Sequence, residues 1–208
     1  MRRTLSRPDQ FFFLFLILLY LSMQVLYWVV GSEDLFFRIN GSYGVFFDYL
    51  FYGWTLMGEW PLIVFALIYT GVYHRSRLLA LIAAFCLNAI IAYILKFHVF
   101  SEVLRPTVVF AEHPDLFISP FLKAHKLYSF PSGHTFTAFT GFMMMALVNK
   151  SLFTRFVLIF LALGVGFSRI YNGLHFPQDV MAGAVLGIVV SVLMHYFVKD
   201  WKPKFFKS

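Results

Sequence analysis

The chain has 208 residues, of which 60% are hydrophobic, 21% aromatic and only 13% charged. A soluble domain carries roughly one charged residue in four, so an ordinary soluble fold is excluded and lipid is the main solvent. The formal net charge of +7 would suit a nucleic-acid binder, but the basic residues sit at the ends of apolar runs rather than in one patch, which excludes that class as well.

In chain order, six stretches have the apolar character of membrane spans, for which about 20 residues are needed. They are Gln10 to Val30, Pro61 to Tyr73, Leu78 to Leu95, Thr135 to Val148, Phe156 to Phe167 and Val180 to Val198. The second, fourth and fifth are short and must borrow flanking residues such as Trp54 to Trp60 or Ile170. The opening run is read as a span and not as a cleaved signal, because its apolar length exceeds the usual 7–15 residues and no A-x-A-like site follows. Two long segments separate spans, Gly31 to Trp60 and Phe97 to Phe130, and Tyr43 to Tyr52 in the first is predicted as a short external helix in the interface. Trp28, Trp54, Trp60, Tyr128, Tyr196 and Trp201 fall near span ends, where aromatic rings anchor. Gly183 and Gly187 form a small-residue seam for packing on a neighbouring helix. Cys86 is the single cysteine, so no internal disulfide exists. With no linker, low-complexity tract or repeat, the expected fold is all-α: one polytopic domain over residues 1–208, six transmembrane helices in one bundle.

Charge sets the orientation. With the amino terminus inside, Arg2, Arg3, Arg7, Arg75, Arg77, Lys150, Arg155, Lys199, Lys202, Lys204 and Lys207 all fall on the cytoplasmic side, as the positive-inside rule requires. Both termini are then cytoplasmic and the membrane is the plasma (inner) membrane. Glu33, Asp34, Asp48, Glu59, Glu102, Glu112 and Asp115 land outside.

Ionisable groups at span edges are costly in so apolar a chain and mark function. They form three clusters, all on the outer side: Lys96 with Arg105-Pro106, then Pro131-Ser132-Gly133-His134, then Ser168-Arg169 followed by His175 and Asp179. The second opens a helix, where unpaired backbone N–H groups and the aligned peptide dipoles favour an anion such as phosphate; read alone, it fits a capped span with an incidental histidine equally well. In the third, His175 and Asp179 are four apart and share a helix face. A carboxylate holding one imidazole nitrogen leaves the other free to attack; the plainer reading is a capping aspartate beside a surface histidine. Arg169 is a planar, permanently charged donor for phosphate oxygens, or a snorkelling arginine. His74, His195, His113 and His125 read as surface residues.

Together the clusters resemble the type-2 phosphatidic acid phosphatase superfamily, whose motifs are K-x6-R-P, P-S-G-H and S-R-x5-H-x3-D. The second and third are present in full. The first is not, because Lys96 precedes Arg105 by nine positions where the family has seven, and His98 stands at the family lysine's place. On a regular helix residues 96 and 98 point about 200° apart. Either the helix bulges or ends between them and Lys96 serves, or His98 supplies a weaker, pH-dependent cation; reach and constant charge favour Lys96. Lys123 and Lys126 are outside candidates.

The resemblance implies a metal-independent phosphatase without cofactor, in which fixed cations replace a metal ion. Arg105, Arg169, Ser132, the Gly133 N–H and Lys96 or His98 would hold the phosphate. His175 would be the nucleophile, Asp179 its orienting partner, and His134 the group that protonates the leaving oxygen and then activates water. A metal site built from His134, His175 and Asp179 is chemically conceivable, but the resemblance argues against it. The expected substrate is a lipid phosphate or diphosphate met at the outer membrane face, with membrane lipids the other partners and neither nucleic acid nor an obligate protein partner expected. The alternatives are a lipid phosphotransferase using the same histidine and a non-catalytic lipid-phosphate binding or transport protein.

Overall fold

The computed structural model describes residues 6–198; Arg2, Arg3, Lys199, Trp201, Lys202, Lys204 and Lys207, assigned above to cytoplasmic flanks and a membrane boundary, lie outside the described residues. Regular structure is helical, with no strand among the described residues. The helices are α1 (Arg7–Val30), α2 (Ser32–Ile39), α3 (Val45–Leu56), α4 (Trp60–Tyr73), α5 (Leu78–Ile94), α6 (Pro106–Val109), α7 (Gly133–Val148), α8 (Leu152–Tyr171) and α9 (Pro177–Phe197). A 3₁₀ turn at Arg75–Arg77 leads into α5, and a π turn at Leu95–Val99 ends it.

Three starts are written in the sequence. Ser6 caps α1, accepting from the Asp9 N–H at 3.4 Å with a proline in the first turn. Ser151 caps α8 through the Thr154 N–H. Pro177 opens α9, and Asp179 reaches back to the Phe176 N–H at 3.0 Å. In each case a side chain satisfies a backbone donor that the helix itself cannot.

Four helical runs are long and apolar enough to cross a membrane: α1, Arg75–Val99, α8 and α9. The pair α3 and α4 makes a fifth if taken as one broken span, bent by 57°, while α7 is shorter. The sequence-predicted spans each fall on a helix. Phe156 to Phe167 extends to Leu152–Tyr171, which brings Arg169 inside the last turn of α8. Tyr43 to Tyr52 covers most of α3, which packs along α8. There Trp54 Nε1 donates to the Leu161 carbonyl at 3.0 Å, and Phe51 and Tyr171 meet ring to ring.

At the centre stands α7, contacted by α4, α5, α8 and α9 and buried at nearly every position from Thr135 to Ala146. It is apolar all round, as a core helix must be. Its 16 residues span about 24 Å at 1.5 Å each, short of the roughly 30 Å hydrocarbon layer. The glycine seam serves the close approach of α9 to α7: a Cβ on Gly183 would come within 2.6 Å of the Ser132 carbonyl oxygen. Lower in the bundle, Asn88 Nδ2 donates to Thr140 Oγ1 at 2.8 Å and Ser191 Oγ to the Thr140 carbonyl at 3.0 Å, tying α5, α7 and α9. Such bonds contribute on average about 0.6 kcal/mol each within a membrane.

Candidate active site

The end of α5, the starts of α7 and α9, the end of α8 and the segment around Arg105 meet at one end of the bundle. Arg75, Arg77 and Lys150, between α4 and α5 and between α7 and α8, lie at the opposite end with Arg155, in the first turn of α8.

His175 is fixed from both sides. After α8, Gly173 takes φ +74° and passes so close to the Phe117 carbonyl that no side chain would fit; a glycine is what this left-handed turn requires. The chain turns back so that the N–H groups of Leu174 and His175 both donate to the Arg169 carbonyl. His175, 1% exposed, then has Nδ1 3.2 Å from Asp179 Oδ2 and Nε2 3.4 Å from Arg105 Nη1. A guanidinium can only donate, so Nε2 presents its lone pair to Arg105 and the ring proton sits on Nδ1, toward Asp179. Burial first, then the Arg105 and Arg169 guanidiniums, push the imidazole well below the ordinary histidine range. It is neutral at physiological pH, which is the form able to attack.

Asp179 is held by more than its histidine. Its Oδ2 accepts the Ser129 hydroxyl at 2.6 Å and the Phe176 N–H at 3.0 Å, and its carbonyl accepts the Ser132 N–H at 3.0 Å. Ser132 does not cap α7 with its side chain; its Oγ accepts from Thr135 Oγ1 at 3.0 Å. The first N–H groups of α7 are thus left for an anion.

The cations converge on that helix start. Arg105 is buried and clamped by carbonyls, Nε to Leu127 at 3.0 Å and Nη1 to Leu174 at 3.1 Å. Arg169, 4% exposed, has one bond from Nη1 to Thr55 Oγ1 at 3.2 Å, and its buried Nε has no partner. An unpaired buried guanidinium donor is costly and is what a phosphate oxygen would satisfy. Lys96 leaves the π turn to donate to the Tyr128 carbonyl at 2.8 Å, and its Cε lies 3.6 Å from where a Gly133 Cβ would stand. His98 is exposed and rests against the Tyr93 ring, away from the site, and Lys123 and Lys126 are exposed on the loop.

The structure therefore brings together Lys96, Arg105, Ser132, Gly133, His134, Arg169, His175 and Asp179, and leaves His98 outside. No three of the described His, Cys, Asp and Glu residues are placed to hold a metal ion. Three participants carried no motif: Ser129 behind Asp179, Thr55 beside Arg169, and Glu59, whose Oε1 is 2.8 Å from His134 Nε2. Glu59 had one signal, an acid at the end of an apolar run; Ser129 and Thr55 had none.

Known proteins resemble this chain in sequence and in fold. A lipid A 4'-phosphatase of Porphyromonas gingivalis is 28% identical over 173 residues, covering 76% of this chain and 69% of that protein. The bacitracin transport permease protein BcrC of Bacillus licheniformis is 40% identical over 68 residues, 33% of this chain and 32% of that protein. In several such curated relatives the matched stretch spans about a third of their length. The crystal structure of Aquifex aeolicus LpxE superposes with a TM-score of 0.70 at 27% identity, over 79% of this chain and 94% of that one. A family model described as the PAP2 superfamily matches residues 77–203, a range that holds all three clusters. With that match over more than half its length and its long apolar helices, the chain is an integral membrane protein belonging to the PAP2 superfamily.

Proposed function

We propose that this chain is a metal-independent phosphatase acting on a lipid phosphate or diphosphate at the outer face of the plasma (inner) membrane through a phosphohistidine. The observation that carries the reading is the His175 ring, its proton held toward Asp179 and its Nε2 lone pair set beside the Arg105 guanidinium. In this reading the phosphate lies against Arg105, Arg169, Lys96, the Ser132 hydroxyl and the Gly133 N–H, and the unpartnered Arg169 Nε takes one of its oxygens. His175 Nε2 attacks phosphorus in line while the bond to the leaving oxygen breaks, and His134 gives that oxygen its proton. His134 then takes a proton from water, whose oxygen displaces His175 and releases inorganic phosphate. The cations neutralise the equatorial oxygens, where phosphoryl transfer most needs help.

The whole chain is one domain of six spans, with α3 and α4 forming one broken crossing and both termini cytoplasmic. Support comes from Arg75, Arg77, Lys150 and Arg155 at the end opposite the site, since cytoplasmic loops carry the basic excess. A lipid A 4'-phosphatase among the relatives favours a lipid phosphate substrate. Transfer to a second lipid would use the same histidine. A binder or transporter, the class in BcrC's name, would need the cations but not the His175–Asp179 pair.

One experiment tests function and orientation together. In sealed right-side-out vesicles with chelator outside, supplied with a panel of lipid phosphates, inorganic phosphate should appear outside without permeabilisation. Phosphate appearing only after permeabilisation would reverse the orientation. Recovery of the phosphate on a second lipid would make the protein a transferase, and no turnover of any lipid phosphate would remove the enzyme reading.

A further inference from the structure

Glu59 sits at the break between α3 and α4, where the chain is pressed directly onto the start of α7. A Cβ on Gly58 would come within 2.8 Å of His134 Cβ, 2.9 Å of Val165 Cγ1 and 3.0 Å of the His134 carbonyl, so only a glycine allows this approach. The turn is closed by Gly58 N–H to the Thr55 carbonyl at 3.0 Å and Glu59 N–H to Leu56 at 3.2 Å. Pro61, in the first turn of α4, lacks the amide donor that this turn could not use within the helix, and Glu59, just before the helix, is extended. The result is a carboxylate carried to His134, Oε1 to Nε2 2.8 Å, with both side chains partly exposed.

The company of that pair gives it meaning. His134 shares the site with Arg169, Arg105 and Lys96, three cations that disfavour a positive imidazole, and the Glu59 carboxylate at 2.8 Å is the group in contact with its ring that favours one. A carboxylate only accepts, so the ring nitrogen facing it carries the proton, and Nδ1 is left for a substrate oxygen. The site would then contain two imidazole–carboxylate pairs of opposite purpose. Asp179 holds His175 with its Nε2 lone pair on the Arg105 side, and Glu59 holds His134 ready to be an imidazolium.

We propose that Glu59 is a positioning residue for the leaving-group step. It fixes the His134 ring and sustains the imidazolium that donates its Nδ1 proton to the departing alkoxide. The carboxylate itself keeps no proton: His134 becomes neutral as the P–O bond breaks and is recharged from water when the P–N bond to His175 is cleaved. This inference rests on the phosphatase reading above.

The test compares purified wild type, Glu59→Gln, Glu59→Asp, His134→Ala and the double variant Glu59→Gln/His134→Ala on two esters. A lipid phosphate has an alkoxide leaving group that needs a proton; a nitrophenyl phosphate leaves as a stable phenolate. The quantity read is kcat/KM, which reports steps up to departure of the leaving group. General acid catalysis contributes roughly 10²- to 10⁴-fold, and Glu59→Gln should lose a share of it, about 10- to 50-fold on the lipid phosphate. On the nitrophenyl ester the loss should be under about 3-fold, because little proton transfer is needed there. Glu59→Asp should recover most of the lipid activity, and adding Glu59→Gln to His134→Ala should cost nothing more. Equal losses on both esters, full additivity with His134→Ala, or wild-type rates throughout would overturn the proposal, the first two by showing a role independent of His134. A wild type that turns over neither ester, or an active His175→Ala, would remove the underlying reading instead.

Discussion

Replacing His175 by alanine should lower lipid-phosphate turnover by on the order of 10⁴- to 10⁶-fold, the scale on which loss of a nucleophile or its base acts in a covalent enzyme, while the protein stays folded. The two halves of that expectation have separate origins. Turnover fails because Nε2 is the atom set beside Arg105, and the other imidazole of the site, His134, is paired with Glu59 to serve as the acid. Folding survives because Asp179 keeps the Ser129 hydroxyl and the Phe176 N–H after the imidazole is gone. Thermal unfolding in detergent, run beside the phosphate assay, checks both. A variant that melts normally and retains a substantial fraction of the wild-type rate would show that attack comes from elsewhere. In the wild type, depression of His175 below the ordinary histidine range keeps the neutral nucleophile present at low pH. The acid limb that this residue contributes to kcat/KM should therefore lie well below pH 6.5, activity being lost only as pH falls through the lowered value.

Lys96→Ala should cost about 30- to 150-fold in kcat/KM, equivalent to the roughly 2–3 kcal/mol of a charge-assisted contact to phosphate. His98→Ala should change the rate by less than about 2-fold, as expected of an exposed side chain outside the site. The asymmetry follows from the π turn at Leu95–Val99. A wider turn alters where successive side chains point and adds a residue to the helix, a device found often at functional sites. Here it sends Lys96 to the Tyr128 carbonyl and the start of α7, and His98 against Tyr93. Steady-state rates on one lipid phosphate across a range of pH decide the matter. The Lys96→Ala loss should be present at neutral pH and below, whereas a large effect of His98→Ala would return the first motif to residue 98.

These two positions also show how far the sequence could be read. The second and third motifs were legible because they are local: Pro131 to His134 is a helix start, and His175 and Asp179 are brought together by their own spacing. The first motif was ambiguous because apolar periodicity cannot distinguish a regular helix end from a π turn, and the two choices send Lys96 in different directions. The shortness of Pro61 to Tyr73 signalled that α4 needed flanking residues, but not that the flank is a separate helix at 57°. That bend carries Glu59 to His134, a pairing 75 residues apart in the chain. Ser129 and Thr55 escaped for the same reason. Each acts through a side chain supplied by a distant helix, and neither type nor neighbourhood sets such a residue apart.

The most direct measurement is of the covalent intermediate. Purified His134→Ala, with chelator present, is given an aryl phosphate ester labelled at phosphorus and quenched in alkali. With the leaving group no longer in need of a proton and the water-activating histidine absent, the protein should accumulate label that is stable to alkali, lost in acid and mapped to His175. Phosphate release by the wild type with no such label on the protein, or with the label on another residue, would contradict the account.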